Sequence, residues 1–183
     1  MHTRIILASA ALLAVPAAWA ASGFTLSSGD LAQGAQVALA QVHSRYGCDG
    51  GNQSPALAWH AAPEGTRSYA VRLFDPDANG GKGWWHWLVT AIPASRHTLP
   101  AGAGDQQGAL AGGGHQWKND FGDAAYGGPC PPAGDPPHHY VLTVDALDVA
   151  SLTLPADSSA AQVQQAIQRH SLAHASITTH YGR

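Results

Sequence analysis

Two apolar runs joined by a short polar loop constrain the fold more than any other part of this chain. Ser68–Phe74 carries its apolar side chains at alternate positions, which is the pattern of a half-buried β-strand. Trp84–Ile92 is apolar at nearly every position, and such a run predicts a central strand that is covered on both faces. The 21 glycines and 12 prolines among 183 residues indicate many turns and argue against an all-helical protein. The sequence therefore predicts one domain that is mostly β.

Weaker patterns on both sides of these runs extend the prediction. Four further strands are predicted, at Phe24–Leu26, Val37–Val42, Leu57–Trp59 and Tyr140–Leu147. In Ala160–Ala175 the apolar residues lie close to helical spacing, and they follow a serine-rich N-cap, so this segment predicts an amphipathic helix. Strands that come first and a helix near the end favour a β-rich domain with peripheral helices, including a C-terminal one.

The first twenty residues have the features of a signal peptide. Arg4 supplies a positive charge, residues 5–15 form a short apolar run, and Ala18–Ala20 fits the rule for cleavage after Ala20. The apolar run is short for a stable membrane span, although an uncleaved anchor is the alternative. We therefore expect a signal peptide at residues 1–20, a single domain at 21–183, and a periplasmic or secreted protein.

The chain has only two cysteines, Cys48 and Cys130. In an exported protein such a pair usually forms a disulfide, and the alternative is two separate buried thiols. A bridge between them would close a long loop and stabilise the fold by about 4 kcal/mol in the chain-entropy model. The formal net charge is −3 and the sequence has no cluster of lysine or arginine, which excludes a nucleic-acid footprint.

Polar side chains gather where the predicted strands begin and end. They are Asp75, Asp77, His86, His138, His139 and Tyr140. His138 and Tyr140 are two residues apart and share one face of their strand, while His139 points the other way. If the strands lie close together, two imidazoles, a phenol and a carboxylate line one cavity, and these groups suit a small oxyanion or a transition metal. A core histidine beside two turn-forming acids is the alternative.

Other catalytic or metal-binding motifs have little support in the sequence. There is no Gly-x-Ser-x-Gly and no Walker loop, which argues against a serine nucleophile and a P-loop nucleotide site. His170 and His174 have the spacing of metal ligands on a helix. However, no glutamate lies between them, and a solvated helix face explains the pair better.

Seven short blocks occur in order along residues 51–183. They are Gly51–Pro55 with Leu57–Trp59, Asp75–Ala78, Gly83–Trp87, Asn119–Gly122, Tyr126–Pro132, His138–Tyr140 with Ala146–Asp148, and Tyr181–Arg183. In this order the blocks resemble the phosphatidylethanolamine-binding protein family, in its bacterial Raf-kinase-inhibitor-like branch. The resemblance covers nearly the whole predicted mature chain. It implies a β-sandwich of two antiparallel sheets with an anion pocket at one end.

The resemblance also implies which residues form that pocket. Carried over motif by motif, they are Asp75, Asp77, His86, Pro132, His138 and Tyr140, with Trp85 expected at the rim. The family pocket binds phosphate-like groups, including phospholipid head groups and phosphorylated residues. Three positions depart from the family pattern: Asn79 replaces a proline, His139 replaces an arginine, and Ala91 replaces an asparagine. The first predicts a looser loop, the second little loss of binding, and the third a missing turn hydrogen bond.

Together these observations predict a non-enzymatic binding protein for a small anionic or phosphorylated ligand, with no cofactor and no bound metal. A partner-binding regulator, similar to inhibitors of kinases or proteases, is the first alternative. An acid–base or metal-assisted hydrolase that uses Asp75, His86 and His138 is the second. The sequence leaves the oligomeric state open, and a homodimer is compatible with it.

Overall fold

Antiparallel strands account for most of the regular structure of this chain. The computed structural model describes residues 23–108, 110 and 112–183, so the predicted signal peptide lies outside the described residues. In chain order the elements are β1 (Thr25–Ser27), β2 (Leu57–His60), β3 (Ser68–Asp75), α1 (Ala78–Gly81), β4 (Trp84–Pro93), β5 (Thr98–Leu99), β6 (His115–Gln116), β7 (His138–Leu147), α2 (Ala160–His170) and β8 (Ser171–Tyr181). The strands form a three-stranded sheet in the order β1-β2-β5 and a five-stranded sheet in the order β6-β4-β3-β7-β8.

The main core contains buried side chains from both sheets. Trp59 of β2 belongs to it together with Tyr69 of β3, Trp87 of β4 and Leu142 of β7. Full burial of a large apolar side chain contributes about 1.5–3 kcal/mol, so these strand positions are the main source of stability. The two antiparallel sheets and the few helices confirm the predicted mostly β fold.

The opposite face of the large sheet is covered by α2. Val163 and Ile167 of the helix pack with Ala70, Leu88 and Leu147 in a second buried cluster. Cover on both faces explains why β4 is apolar at almost every position. Ser159 caps the helix with a capping box, in which the side chains of Ser159 and Gln162 bond to each other's backbone N–H groups.

The predicted strand at Val37–Val42 is wrong. This segment forms turns, and its backbone bonds irregularly to residues 51–53, for example from Gly51 N–H to the Leu39 carbonyl at 2.8 Å. Val37 and Val42 are buried while Leu39 is exposed, as the two valines anchor a loop to the core. Buried valines in a loop therefore produced the same apolar spacing that a strand would have.

The C-terminal helix is present but shorter than predicted. It ends at His170, and the chain continues directly into β8, which pairs with β7 along its length. His174 consequently lies on a strand, so it does not share a helix face with His170. At the helix end, Nδ1 of His170 lies 2.9 Å from Oδ1 of Asp148, and this contact holds the His170 ring in place.

A disulfide joins Cys48 to Cys130 with a Cα–Cα distance of 6.1 Å. It connects the loop before β2 to the proline-rich loop before β7, two segments that are 82 residues apart in sequence. Within the described residues, no helix has the length and apolar character needed to cross a membrane.

Candidate functional site

The strand ends that carry most of the predicted polar residues meet at one end of the large sheet. Asp75 ends β3, His86 lies near the start of β4, and His138 and Tyr140 open β7. Because β3 pairs antiparallel with both β4 and β7, the end of β3 lies beside the beginnings of the other two strands. Together with the proline-rich loop at residues 129–137, they line a cavity of about 800 Å³.

The structure brings six of the seven predicted ligand-binding residues to this cavity. They are Asp75, Asp77, His86, Pro132, His138 and Tyr140. The exception is Trp85, whose predicted place at the rim is wrong. Trp84 and His86 face the cavity, while Trp85 between them faces the other side of the sheet, packs against the cluster beneath α2 and contacts Phe74, with ring centroids 4.3 Å apart.

Asp75 is the most constrained of the acids. It is 2% exposed, and its Oδ1 accepts hydrogen bonds from the backbone N–H groups of Asp77 at 2.9 Å and Ala78 at 3.0 Å. Its Oδ2 lies 2.8 Å from Nδ1 of His138. A carboxylate accepts hydrogen bonds, so Nδ1 of His138 carries the proton and Nε2 is the ring nitrogen left for other contacts. The nearest acid to that Nε2 is Asp135, at 3.7 Å.

His86 is held in a similar way by backbone carbonyls. Its Nδ1 lies 2.8 Å from the oxygen of Gly127 and 3.2 Å from that of Gly128. Carbonyls only accept, so Nδ1 is the protonated nitrogen. Burial lowers the pKa of His86 to about 4, although the Gly127 carbonyl and the Asp75 charge act in the opposite direction. At neutral pH this ring is therefore uncharged, and its Nε2 is a hydrogen-bond acceptor.

Tyr140 provides a donor beside this acceptor. It is 1% exposed, and its hydroxyl makes no close hydrogen bond within the described residues, although the Asp75 carboxylate lies near enough to interact with it. Its ring lies edge-to-face with that of His86 at a centroid distance of 5.3 Å. Burial, and then the charge of Asp75, raises the pKa of Tyr140, so the hydroxyl keeps its proton. We call Asp75, His86, His138 and Tyr140 the cavity floor.

The mouth of the cavity is built from loops and is exposed. Asp77 Oδ2 accepts from the backbone N–H of His139 at 2.7 Å and lies 2.8 Å from its Nδ1. The side chains of Asp77 and His139 are 42% and 61% exposed. The backbone N–H of His139 is the main cause that lowers the pKa of Asp77. We call Asp77, Pro132, Asp135 and His139 the cavity rim.

Comparison with known proteins decides the family. The family model described as phosphatidylethanolamine-binding protein matches residues 27–182. The chain belongs to this family. It is 45% identical over 162 residues to YbcL of Escherichia coli K12, a match that covers 88% of each chain. It is 43% identical to YbhB of the same organism, over 84% of this chain and 96% of YbhB.

Solved structures of the phosphatidylethanolamine-binding protein family have the same fold. The crystal structure of E. coli YbcL matches with a TM-score of 0.83 and 44% identity, covering 87% of this chain and 98% of that one. A putative family homologue from Chlamydia trachomatis matches with a TM-score of 0.72 and 25% identity, covering 88% and 99%. The resemblance seen in the sequence is thereby confirmed for the family and the fold.

Two departures from the family pattern have a local explanation. Asn79 has a φ of 53°, in the left-handed region, which a proline ring fixed near −65° cannot reach. Ala91 also has a positive φ, 55°, at the end of β4 that is far from the cavity, in a conformation that asparagine tolerates better than alanine. His139, expected to point away from the pocket, lies on the rim but outside the floor.

Among the cavity residues missed in the sequence, Trp84, Phe121 and Asp135 carry the most informative side chains. Trp84 precedes His86 by two positions, so strand alternation alone would have found it. Phe121 contacts the rings of Trp84 and His86 at centroid distances of 5.4 and 5.2 Å, and it belongs to one of the blocks that carried the resemblance. Asp135 lies among prolines, and nothing in its local pattern distinguishes it from a turn residue.

Proposed function

We propose that this protein is a non-enzymatic binding protein whose cavity takes a small anion, either phosphate or the head group of a phosphorylated or phospholipid ligand. The observation that carries the proposal is a pair of anchored imidazoles beside the buried hydroxyl of Tyr140, which makes no close hydrogen bond within the described residues. A buried polar group without a partner costs about 1–3 kcal/mol. An oxyanion oxygen at this position would accept that hydrogen bond and recover the loss.

The chemistry of the cavity favours binding over hydrolysis. Among the described lining residues there is no serine, threonine or lysine, and Cys130 is in the disulfide. Asp75, the natural general base, is engaged by three hydrogen-bonding partners. No group of three or more metal-ligating side chains occurs among the residues that the structure describes. These facts support a receptor for an anion.

We further propose that the protein acts outside the cytoplasm. The signal-like first twenty residues and the disulfide both support export. A relative in Mycobacterium tuberculosis, 38% identical over 148 residues, is named a putative lipoprotein, which is also consistent with the cell envelope. Under this proposal the ligand or partner is an envelope or extracellular molecule.

Titration with inorganic phosphate at pH 6 tests the proposal directly. We expect saturable binding that shifts the NMR signals of His86 and His138. Removal of the hydroxyl in Tyr140→Phe should weaken binding about tenfold, in line with one lost hydrogen bond to a charged acceptor. The matched control is Tyr46→Phe, at a tyrosine that is 56% exposed and does not line the cavity. Absence of binding by the unaltered protein would refute the proposal.

A further inference from the structure

Two histidines that are distant in sequence become neighbours on the large sheet. His139 of β7 and His180 of β8 lie directly opposite each other in the antiparallel register of these strands. Residues that pair in this way share a face of the sheet, and this is the face opposite to the one that carries His138 and Tyr140. The two histidines belong to separate strands, so no local sequence motif contains the pair.

We infer that His139 and His180 together bind a divalent transition-metal ion of the copper, nickel and zinc class, with water as the remaining ligands. Neutral imidazole is a preferred ligand of these three metals. The site lies on the outer face of β7 and β8, outside the cavity floor, and the inference does not depend on the proposed anion binding. It follows from the backbone geometry of the pair and from the orientation of one ring.

The backbone of both histidines is fixed by bonds to other segments. The N–H of His139 donates to Oδ2 of Asp77 at 2.7 Å. The N–H of His180 donates to the Ala35 carbonyl at 3.0 Å, and its carbonyl accepts from the N–H of Val37 at 2.9 Å. These groups point away from the neighbouring strand, so the two histidines form a non-hydrogen-bonded pair, the type in which opposite side chains are closest. Cβ atoms of such pairs are about 4.5–5.5 Å apart, and two imidazoles at this spacing can reach one ion with metal–nitrogen distances of about 2.0–2.1 Å.

Asp77 sets the tautomer and the direction of the His139 ring. Its Oδ2 lies 2.8 Å from Nδ1 of His139, and a carboxylate accepts, so Nδ1 carries the proton and Nε2 has the free lone pair. Asp77 follows β3, which lies on the side of β7 away from β8. Nε2 is on the opposite edge of the imidazole and is therefore turned toward the strand of His180. A carboxylate that holds the second ring nitrogen in this way is the usual support of a metal-binding histidine.

Exposure and charge at this place favour a cation that exchanges with solvent. The side chains of His139 and Asp77 are 61% and 42% exposed, and His180 is half-buried. Water can therefore complete the coordination, and two protein ligands are enough to bind the ion without enclosing it. Asp77 keeps its negative charge at neutral pH, because the backbone N–H of His139 is the main cause that lowers its pKa. That charge attracts a cation to the pair.

Calorimetric titration with zinc chloride tests the inference on the mature protein, prepared without a polyhistidine tag and without phosphate at pH 7.5. We expect one Zn²⁺ per chain at the tightest site, with shifts in the NMR signals of both rings. His139→Gln and His180→Gln should each lower the Zn²⁺ affinity tenfold or more, since loss of a mere supporting residue already costs 10–100-fold at metal sites. Both histidines bind the same ion, so the double variant should lose little more than either single variant.

The matched control is His174→Gln, at an exposed histidine on the same face of β8, and this variant should bind Zn²⁺ as the unaltered protein does. Copper should bind more tightly than zinc at the same pair. Absence of Zn²⁺ binding, or equal binding by the double variant, would overturn the inference. Losses that add from one variant to the other would also overturn it, because they would show two independent histidines. Thermal unfolding without metal checks that the variants remain folded, and phosphate titration of the same proteins reports on the anion cavity separately.

Discussion

The cavity floor and the cavity rim contain similar side chains, but they are built differently. In the floor, Asp75 and His138 are 2% and 6% exposed, lie on adjacent strands and have fixed hydrogen-bond partners. In the rim, Asp77 and His139 form a comparable acid–histidine pair that is largely open to solvent. The same two residue types therefore contribute differently to the site. Burial makes the floor pair a rigid part of it, while solvent screens the charges of the rim pair. We expect substitutions in the floor to change binding chemistry and substitutions in the rim to change it little.

Loss of the disulfide gives the largest expected effect and tests whether the floor depends on the loops that surround the cavity. The pair of substitutions Cys48→Ala and Cys130→Ala should reduce the free energy of unfolding by about 4 kcal/mol, since the bridge closes a loop of some eighty residues. Urea denaturation measures the change. Because the floor lies on strands, phosphate affinity of the remaining folded protein should fall less than threefold. A loss of tenfold or more in folded protein would mean that the bridge positions the floor.

The next effect is the dependence of stability on pH that His86 causes. Burial lowers its pKa from 6.5 to about 4, so the unfolded chain takes up this proton first as the pH falls. The free energy of unfolding should therefore decrease between about pH 6.5 and pH 4, by about 3 kcal/mol from this one group. Above pH 6.5 the contribution is constant.

Comparison with His86→Gln isolates this contribution, whatever the absolute stability of the variant. Urea denaturation at half-unit steps from pH 7 to pH 4 should give a shallower acid-side slope for the variant than for the unaltered protein. The exposed His139 serves as the rim counterpart, and His139→Gln should keep the original slope. Equal slopes for all three proteins would show that His86 is not buried in its neutral form.

A smaller effect on stability is expected from substitution of Asn79, which lies in the turn that follows β3. Its positive φ disfavours most side chains, so Asn79→Ala should destabilise the protein by about 1 kcal/mol, while Asn79→Gly should be nearly neutral. Thermal unfolding of the two variants checks this. Asn79 lies in a turn at the cavity mouth and is not one of the four floor residues, so inorganic phosphate should bind both variants alike. Loss of binding in the alanine variant alone would show that the turn positions Asp75.

The difference between strands and loops also explains what the sequence could and could not predict. Strands such as Ser68–Asp75 follow a period of two, and this period correctly placed His138 and Tyr140 on one face. The same rule would have placed Trp84 in the cavity and excluded Trp85. The prediction of Trp85 at the rim came instead from the family resemblance, and a motif gives a block of residues without saying which side of the strand each one faces.

The errors lie where tertiary contacts decide the local structure. The segment Ser171–Tyr181 was predicted in part as helix, yet its backbone pairs with β7, and this long-range pairing has no signal in the local pattern. The Cys48–Cys130 bridge joins two loops that are 82 residues apart, and it holds the start of the proline-rich loop that lines the cavity. The protonation states of the floor depend on burial and on two carbonyls, which no side-chain motif contains.

The smallest expected effect is that of Asp77→Asn, and it tests the comparison of the two acid–histidine pairs most directly. Asparagine keeps an oxygen that can accept from the backbone N–H of His139, so the turn should remain. Exposed ion pairs contribute about 0–1 kcal/mol, and the unfolding free energy should change within that range. Inorganic phosphate should bind up to about threefold more tightly, since one negative charge is removed from the mouth and the solvent screens most of its field. Calorimetry at low and high salt measures both the gain and its screening. A loss of tenfold or more would show instead that Asp77 contacts the ligand, and the rim would then share the chemistry of the floor.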